Sequence, residues 1–335
     1  MTRKLSLSRR GFLRSGGLLA AAPLAAPFIA TGLLPGAAQA RITTPALSQT
    51  SWYRFKIGGY EATILSDGLL NLGSAADQFP GADPAEVQQI MDDEFLPMTP
   101  MMLEQNCLIV KTADRLVLFD SGMGSTKLFG DDSGRLFANI RAAGFDPEAI
   151  TDIVVTHAHC DHVWGIMADD GTPHFPNADI HLSQADFDFW TDEAKLGTEG
   201  FVGTFVEGAR RNLLPRRDRI FFVEDGKEVL PGIRAVFTPG HTVGHTSYVI
   251  TSDGQSFLNV GDVVHHYALL FRNPQWEFAF DTDPAMAATT RIRLYEMAVS
   301  EQLPMIGYHF PFPGLGNIRR DGQAFRYVPM PYQHG

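Results

Sequence analysis

The sequence predicts an α+β fold on three observations: a series of strand patterns before residue 160, a second series after residue 230, and helical patterns between and behind them. Tyr53-Arg54-Phe55-Lys56-Ile57 and residues 60–65 alternate around Gly58-Gly59, a strong hairpin signal, so two strands open the fold. Asp83-Pro84 starts a helix to about residue 93, because proline fits the first helical position, where no amide hydrogen is needed. Strands follow over 107–111 and 115–119, with a turn at Ala113-Asp114. A helix over 135–143 leads through Gly144 into an apolar strand over 152–155. A short strand over 179–182 precedes helices over about 183–193 and 200–213. The second series covers 233–237, 246–250 and 256–260, with Asp253-Gly254 as a turn. In a last helix, over about 284–300, Ala288, Ile292, Tyr295 and Val299 form an apolar stripe that should cover one face of a sheet. Residues 41–335 contain no repeat, low-complexity tract or linker, so they read as one domain.

The first 40 residues read as an export signal. Ser8, Arg9, Arg10, Gly11, Phe12, Leu13 and Arg14 spell a twin-arginine motif, an apolar stretch over 16–34 is broken by Pro23 and Pro27, and Ala38-Gln39-Ala40 is a small-residue cleavage pattern. The expectation is passage through the twin-arginine export machinery, cleavage, and a periplasmic or secreted protein without a stable membrane anchor. The chain has 27 Lys and Arg against 38 Asp and Glu; the signal holds five of the basic residues and no acidic one, which leaves 22 against 38, a net −16. Such a surface repels polyanions, which argues against a nucleic-acid partner. Cys107 and Cys160 are too few for a disulfide framework. With 44% hydrophobic and 19% charged residues, stapling falls to the core and to whatever the histidines bind.

Thr156-His157-Ala158-His159-Cys160-Asp161-His162 follows the strand over 152–155. Side chains two apart in extended backbone point the same way, so His157 and His159 can grip one ion together, and the following turn can carry Asp161 and His162 to a second. Imidazole nitrogen and carboxylate oxygen suit zinc or a similar divalent metal. The alternation sets Cys160 opposite His159 and Asp161, as a buried inert thiol.

These residues match the HxHxDH signature in full, and the chain resembles the metallo-β-lactamase superfamily. That resemblance implies an αββα sandwich and further ligands after strands: His241 in Thr238-Pro239-Gly240-His241, Asp262 in Gly261-Asp262, and His309 in Gly307-Tyr308-His309. It assigns His157, His159 and His241 to the first metal, and Asp161, His162 and His309 to the second, with Asp262 as the bridge. It implies two divalent ions, zinc first with manganese, cobalt or iron as alternatives, and places Asp262 and Asp161 at the chemistry. Asp120, in Leu118-Phe119-Asp120-Ser121-Gly122, matches the motif whose carboxylate supports a ligand histidine. Paired metals lower the pKa of a shared water, so a bridging hydroxide would attack and no protein nucleophile is needed; no G-x-S-x-G elbow is present.

A closer likeness extends over nearly all of residues 41–335, to the methyl parathion hydrolase group and related lactonases and arylesterases. Thr63-Ile64-Leu65-Ser66-Asp67-Gly68, Phe175-Pro176-Asn177-Ala178, residues 185–190 and the tail from His309-Phe310-Pro311-Phe312-Pro313 carry it. In that group aromatic residues ring the pocket entrance, and Phe129, Trp190 and Phe201 or Phe205 are the matches. The phosphotriester-hydrolysing members carry an aliphatic residue where this chain has His265, so lactones or aryl esters are the expected substrates, with phosphotriesters the alternative and a non-hydrolytic metal-binding or redox protein a third reading. A homodimer is the assembly considered. Of the other histidines, His245 is read as structural, His174, His181 and His334 as solvent-facing or satisfied within the core, and His265 as a candidate for the pocket wall. Met98, Met101 and Met102 are read as core packing or a pocket wall.

Overall fold

The computed structural model describes residues 50–331; the expected export signal in residues 1–40 and His334 lie outside the described residues. The chain begins with the expected hairpin, β1 (Trp52–Ile57) and β2 (Tyr60–Asn71), in which Ile57 pairs with Tyr60. Gly58 turns with φ +56°, and a Cβ there would stand 2.0 Å from the Ser252 carbonyl oxygen, so only glycine serves.

Two seven-stranded sheets follow the chain order. The first adds β3 (Met102–Lys111), β4 (Leu116–Phe119), β5 (Asp152–Val154), β6 (Asp179–Ser183) and β7 (Ile220–Val223), antiparallel as far as β4 and parallel from β4 to β7. The second comprises β8 (Glu228–Leu230), β9 (Ile233–Phe237), β10 (Thr246–Ser252), β11 (Gln255–Asn259), β12 (Pro304–Ile306), β13 (Leu315–Asp321) and β14 (Ala324–Pro329), with β11 and β12 its one parallel pair. The helices are α1 (Ala75–Gln78), α2 (Pro84–Asp93), α3 (Leu136–Ala142), α4 (Cys160–Val163), α5 (Gln184–Thr191), α6 (Phe201–Leu213), α7 (Leu269–Arg272) and α8 (Pro284–Ser300). None of the described helices is long and apolar enough to cross a membrane.

The period of two along a strand sorts these residues into two cores. Ile64, Leu108, Val117, Phe119 and Val154 of the first sheet meet Ala235, Tyr248, Ile250, Phe257 and Ile306 of the second. Their neighbours Leu65, Ile109, Leu118, Ile153, Val249, Leu258 and Met305 belong instead to the core shared with the helices, with Ile140, Trp190, Leu294 and Tyr295. Both faces of the central strands are therefore covered, and the expected α+β sandwich is the fold observed.

The helix expected at Asp83-Pro84 spans Pro84–Asp93, and the Asp83 carboxylate accepts the Ala85 N–H at 2.9 Å. α8 has the expected span, but its buried face is Ala287, Thr290, Arg291, Leu294, Tyr295 and Ala298; Ala288, Ile292 and Val299 are only half-buried. The stripe is rotated because a charged residue occupies it. Arg291 is fully buried, with Nε donating to the Val263 carbonyl at 2.8 Å and Nη1 to the Pro274 and Trp276 carbonyls at 2.8 and 2.9 Å. Strands β7, β8 and β12 to β14 were not foreseen: β8 and β12 have three residues each, and β13 ends in Arg319, Arg320 and Asp321.

Candidate metal centre

The donors gather where strands of both sheets end. β5 ends at Val154, His157 and His159 lie in the loop that follows, and His159, with ψ 167°, is the extended residue before α4 carries Asp161 and His162. His241 follows β9, Asp262 follows β11 and His309 follows β12. Two buried clusters result, His157–His159–His241 and Asp161–His162–Asp262–His309, and within each the ligand atoms lie within 4.8 Å of one another. A third set with the same spacing, His241–Asp262–His265, overlaps both.

Partners behind the rings fix which nitrogen faces inward. His162 Nδ1 is 3.0 Å from Asp120 Oδ2, while Asp120 Oδ1 accepts the Thr156 N–H at 2.8 Å. His309 Nδ1 donates to the Glu104 carbonyl at 2.8 Å and His241 Nδ1 to Asp281 Oδ1 at 2.9 Å. The Nε2 atoms are thereby directed to the centre, the arrangement that metal-binding histidines use. His245 acts differently, since its Nε2 accepts the Asp262 N–H at 2.9 Å and its Nδ1 therefore carries the hydrogen toward Thr238 Oγ1 at 2.8 Å. It holds the backbone of Asp262, as a structural histidine.

This donor set suits cations. His159 Nε2, His162 Nε2 and Asp262 Oδ1 are buried without a hydrogen-bond partner, a cost of about 1–3 kcal/mol each when nothing else satisfies them. His309, its Nδ1 hydrogen committed to a carbonyl, sets Nε2 2.9 Å from Asp262 Oδ2, a contact that calls for positive charge between or on the two groups. Burial holds His157, His159 and His241 well below the usual imidazole range, so they are neutral and free to donate lone pairs. Burial opposes charge on His162 too, yet Asp262, Asp161 and Asp120 together raise it well above that range. The carboxylates thus create a potential that attracts a cation.

A cavity opens onto the clusters, walled by Leu70, Leu72, Leu103, Phe129, Phe205, Phe278 and Phe280. His265 is in the wall, 1% exposed, stacked on Phe278 at 3.8 Å with Nε2 3.3 Å from Asp262 Oδ2. Cys160 is buried and also borders the cavity, and burial pushes its thiol up. Of the four aromatic residues expected at the entrance, Phe129 and Phe205 line this cavity; Trp190 and Phe201 do not. Trp190 is fully buried behind His159, ring centroids 4.8 Å apart at 79°, and Phe201 packs on Phe205 and Phe280, both at 5.3 Å. Sequence reading missed Leu70, Leu72, Leu103, Phe278, Phe280 and the supporting Asp281. His174 and His181 are satisfied within the protein, donating to the Gly165 carbonyl and pairing with Asp152, both at 2.9 Å. Met101 is buried, Met98 half-buried, and Met102 37% exposed on the rim of a neighbouring cavity.

Comparison with known proteins agrees with this geometry. The metallo-beta-lactamase superfamily matches residues 102–301. An N-acyl homoserine lactonase of Bacillus cereus is 22% identical over 204 residues, covering 56% of this chain and 74% of that protein. AidC, a dizinc quorum-quenching lactonase in complex with a product, N-hexanoyl-L-homoserine, is 28% identical with a TM-score of 0.79, over 85% of this chain and 99% of AidC. The hydrolase AbOPH is 29% identical with a TM-score of 0.80, over 86% of this chain and 100% of AbOPH. The chain belongs to the metallo-β-lactamase superfamily and is a metal-dependent hydrolase of it.

Proposed function

We propose that the protein hydrolyses lactones, with N-acyl homoserine lactones as the class to test first. The observation that carries this reading is one cavity whose seven apolar side chains end on two buried donor clusters. Apolar walls suit an uncharged ester with an alkyl arm and exclude bulk water from the reacting carbonyl. His157, His159 and His241 would hold one ion, and Asp161, His162 and His309 the other, with Asp262 next to both. A bound pair of divalent ions would polarise the ester carbonyl and make water nucleophilic near neutral pH. The residues themselves orient and select. His265 has no hydrogen-bond partner on either ring nitrogen, which leaves it free to contact a planar carbonyl, and its ring takes space that the tetrahedral substituents of a phosphotriester would need.

The test is a panel of N-acyl homoserine lactones, δ-lactones, aryl esters and dialkyl aryl phosphates, assayed with zinc-loaded protein. The lactones should show the highest kcat/KM; a higher value for the phosphates overturns the reading. The twin-arginine motif supports a further proposal, that the protein acts in the periplasm or outside the cell. Changing Arg9 and Arg10 to Lys should retain it in the cytoplasm, and unaltered export refutes that proposal.

A further inference from the structure

The two clusters use seven side chains, yet an eighth with the right chemistry adjoins them. His265 is 1% exposed, neither ring nitrogen makes a hydrogen bond although Nε2 lies 3.3 Å from Asp262 Oδ2, and its ring centroid is 4.5 Å from that of His241. With His241 and Asp262 it forms the third set of converging donors. That set shares His241 with the first cluster, and one imidazole nitrogen binds one ion, so the two sets cannot both be filled. They also meet the cavity differently: His241, Asp262 and His265 all line it, while in the first cluster His159 and His241 line it and His157 does not.

We propose that His241, Asp262 and His265 form a loading station, where an ion entering from the cavity is first held before it passes to His157, His159 and His241. Three donors that face the cavity can strip part of the water from an arriving divalent ion before it reaches the deeper His157. His241 stays bound through the exchange, its ring kept in place by Asp281, and Asp262 adjoins both positions, so the transfer replaces His265 by His157 and His159. Once the ion has moved on, His265 is released to face substrate. Metal uptake by this route is independent of which ester the enzyme cleaves.

A station on the path changes rates in both directions and leaves the final equilibrium alone, which separates it from a structural or substrate-binding role. Zinc uptake by the metal-free protein, followed with a fluorescent chelator, should slow at least about fivefold in His265→Ala, and zinc release to excess chelator should slow in proportion. Final stoichiometry should stay equal to the wild type's, with the dissociation constants within about twofold. His265→Cys, which restores a zinc donor at the same place, should recover most of the uptake rate. Unchanged uptake and release in His265→Ala overturn the proposal, even if KM rises. So does lower stoichiometry or affinity at equal rate, which would mark His265 as a support of the site. Failure of the wild-type protein to take up zinc overturns it together with the metal assignment.

Discussion

The two donor clusters differ in charge, and the difference separates their roles. His157, His159 and His241 are neutral imidazoles, while the second cluster sets His162 and His309 among the buried carboxylates of Asp161 and Asp262. A divalent ion in the first has one carboxylate beside it, Asp262, whereas an ion in the second has Asp161 as well, so Coulomb attraction at low dielectric is larger there. Their supports differ in the same way. Asp120 and the Glu104 carbonyl back the second cluster directly, while in the first His157 meets the Thr156 hydroxyl, itself held by Asp120, and His241 depends on Asp281, whose other oxygen is 3.7 Å from the buried Arg291 guanidinium. The carboxylate-rich cluster should therefore hold its ion more tightly and accept harder metals such as manganese, and the imidazole cluster should exchange faster and prefer zinc.

The largest expected effect comes from the one residue that joins the clusters. Asp262 Oδ2 lies 2.9 Å from His309 Nε2, 3.3 Å from His162 Nε2, 3.6 Å from His241 Nε2 and 3.8 Å from His157 Nε2. Asp262→Ala removes the carboxylate from both, so elemental analysis should find fewer than two ions per chain and lactone turnover should fall by at least about a thousandfold, or some 4 kcal/mol of transition-state energy. Full loading with retained activity would show that the clusters work independently.

Asp120→Asn and Asp281→Asn sharpen the comparison, because each loosens the direct support of one cluster, Asp120 touching His162 and Asp281 touching His241. Losing such a partner lowers metal affinity about 10–100-fold. In chelator competition Asp120→Asn should weaken the tighter ion and Asp281→Asn the looser one. If both variants weaken the same ion, the separation into two clusters with private supports is wrong. Arg291→Met should act as a milder Asp281→Asn on metal binding, while also lowering the thermal midpoint, since it leaves three backbone carbonyls and Asp281 without their cation.

The same contrast explains what could be read from the sequence. The second cluster's Asp161 and His162 and the first cluster's His157 and His159 sit within six residues, so a strand end and a turn make them visible together. His241, Asp262 and His309 were legible through the family pattern, each just after an apolar strand. Asp281 gave no such signal: it is one of two acids in Asp281-Thr282-Asp283, and Asp283 caps α8 by accepting the Met286 N–H at 3.0 Å. The cavity walls were hidden because β2 and the loop before α8 supply them from distant sequence, and no local period marks Leu70, Leu72, Phe278 or Phe280. Arg291 defeated the stripe in α8 because a buried guanidinium satisfied by carbonyls occupies an apolar position.

Trp190 gives the smallest and most discriminating effect. Its indole meets the His159 ring edge-on, Phe205 flanks that ring at 5.1 Å, and the indole Nε1 has no partner. Trp190→Phe leaves a void behind His159 but also removes an unsatisfied buried donor, so the two consequences oppose each other. Turnover should fall only about threefold, below 1 kcal/mol. The signature lies in the metals: the looser ion of the first cluster should exchange faster, and the tighter ion of the second should not change, because His162 rests on Tyr308 and Asp120 instead. Measuring the two exchange rates in the cobalt-loaded variant decides the point. A change in acyl-chain preference with both rates unaltered would return Trp190 to the substrate entrance, and faster exchange of both ions would show that the clusters share one scaffold.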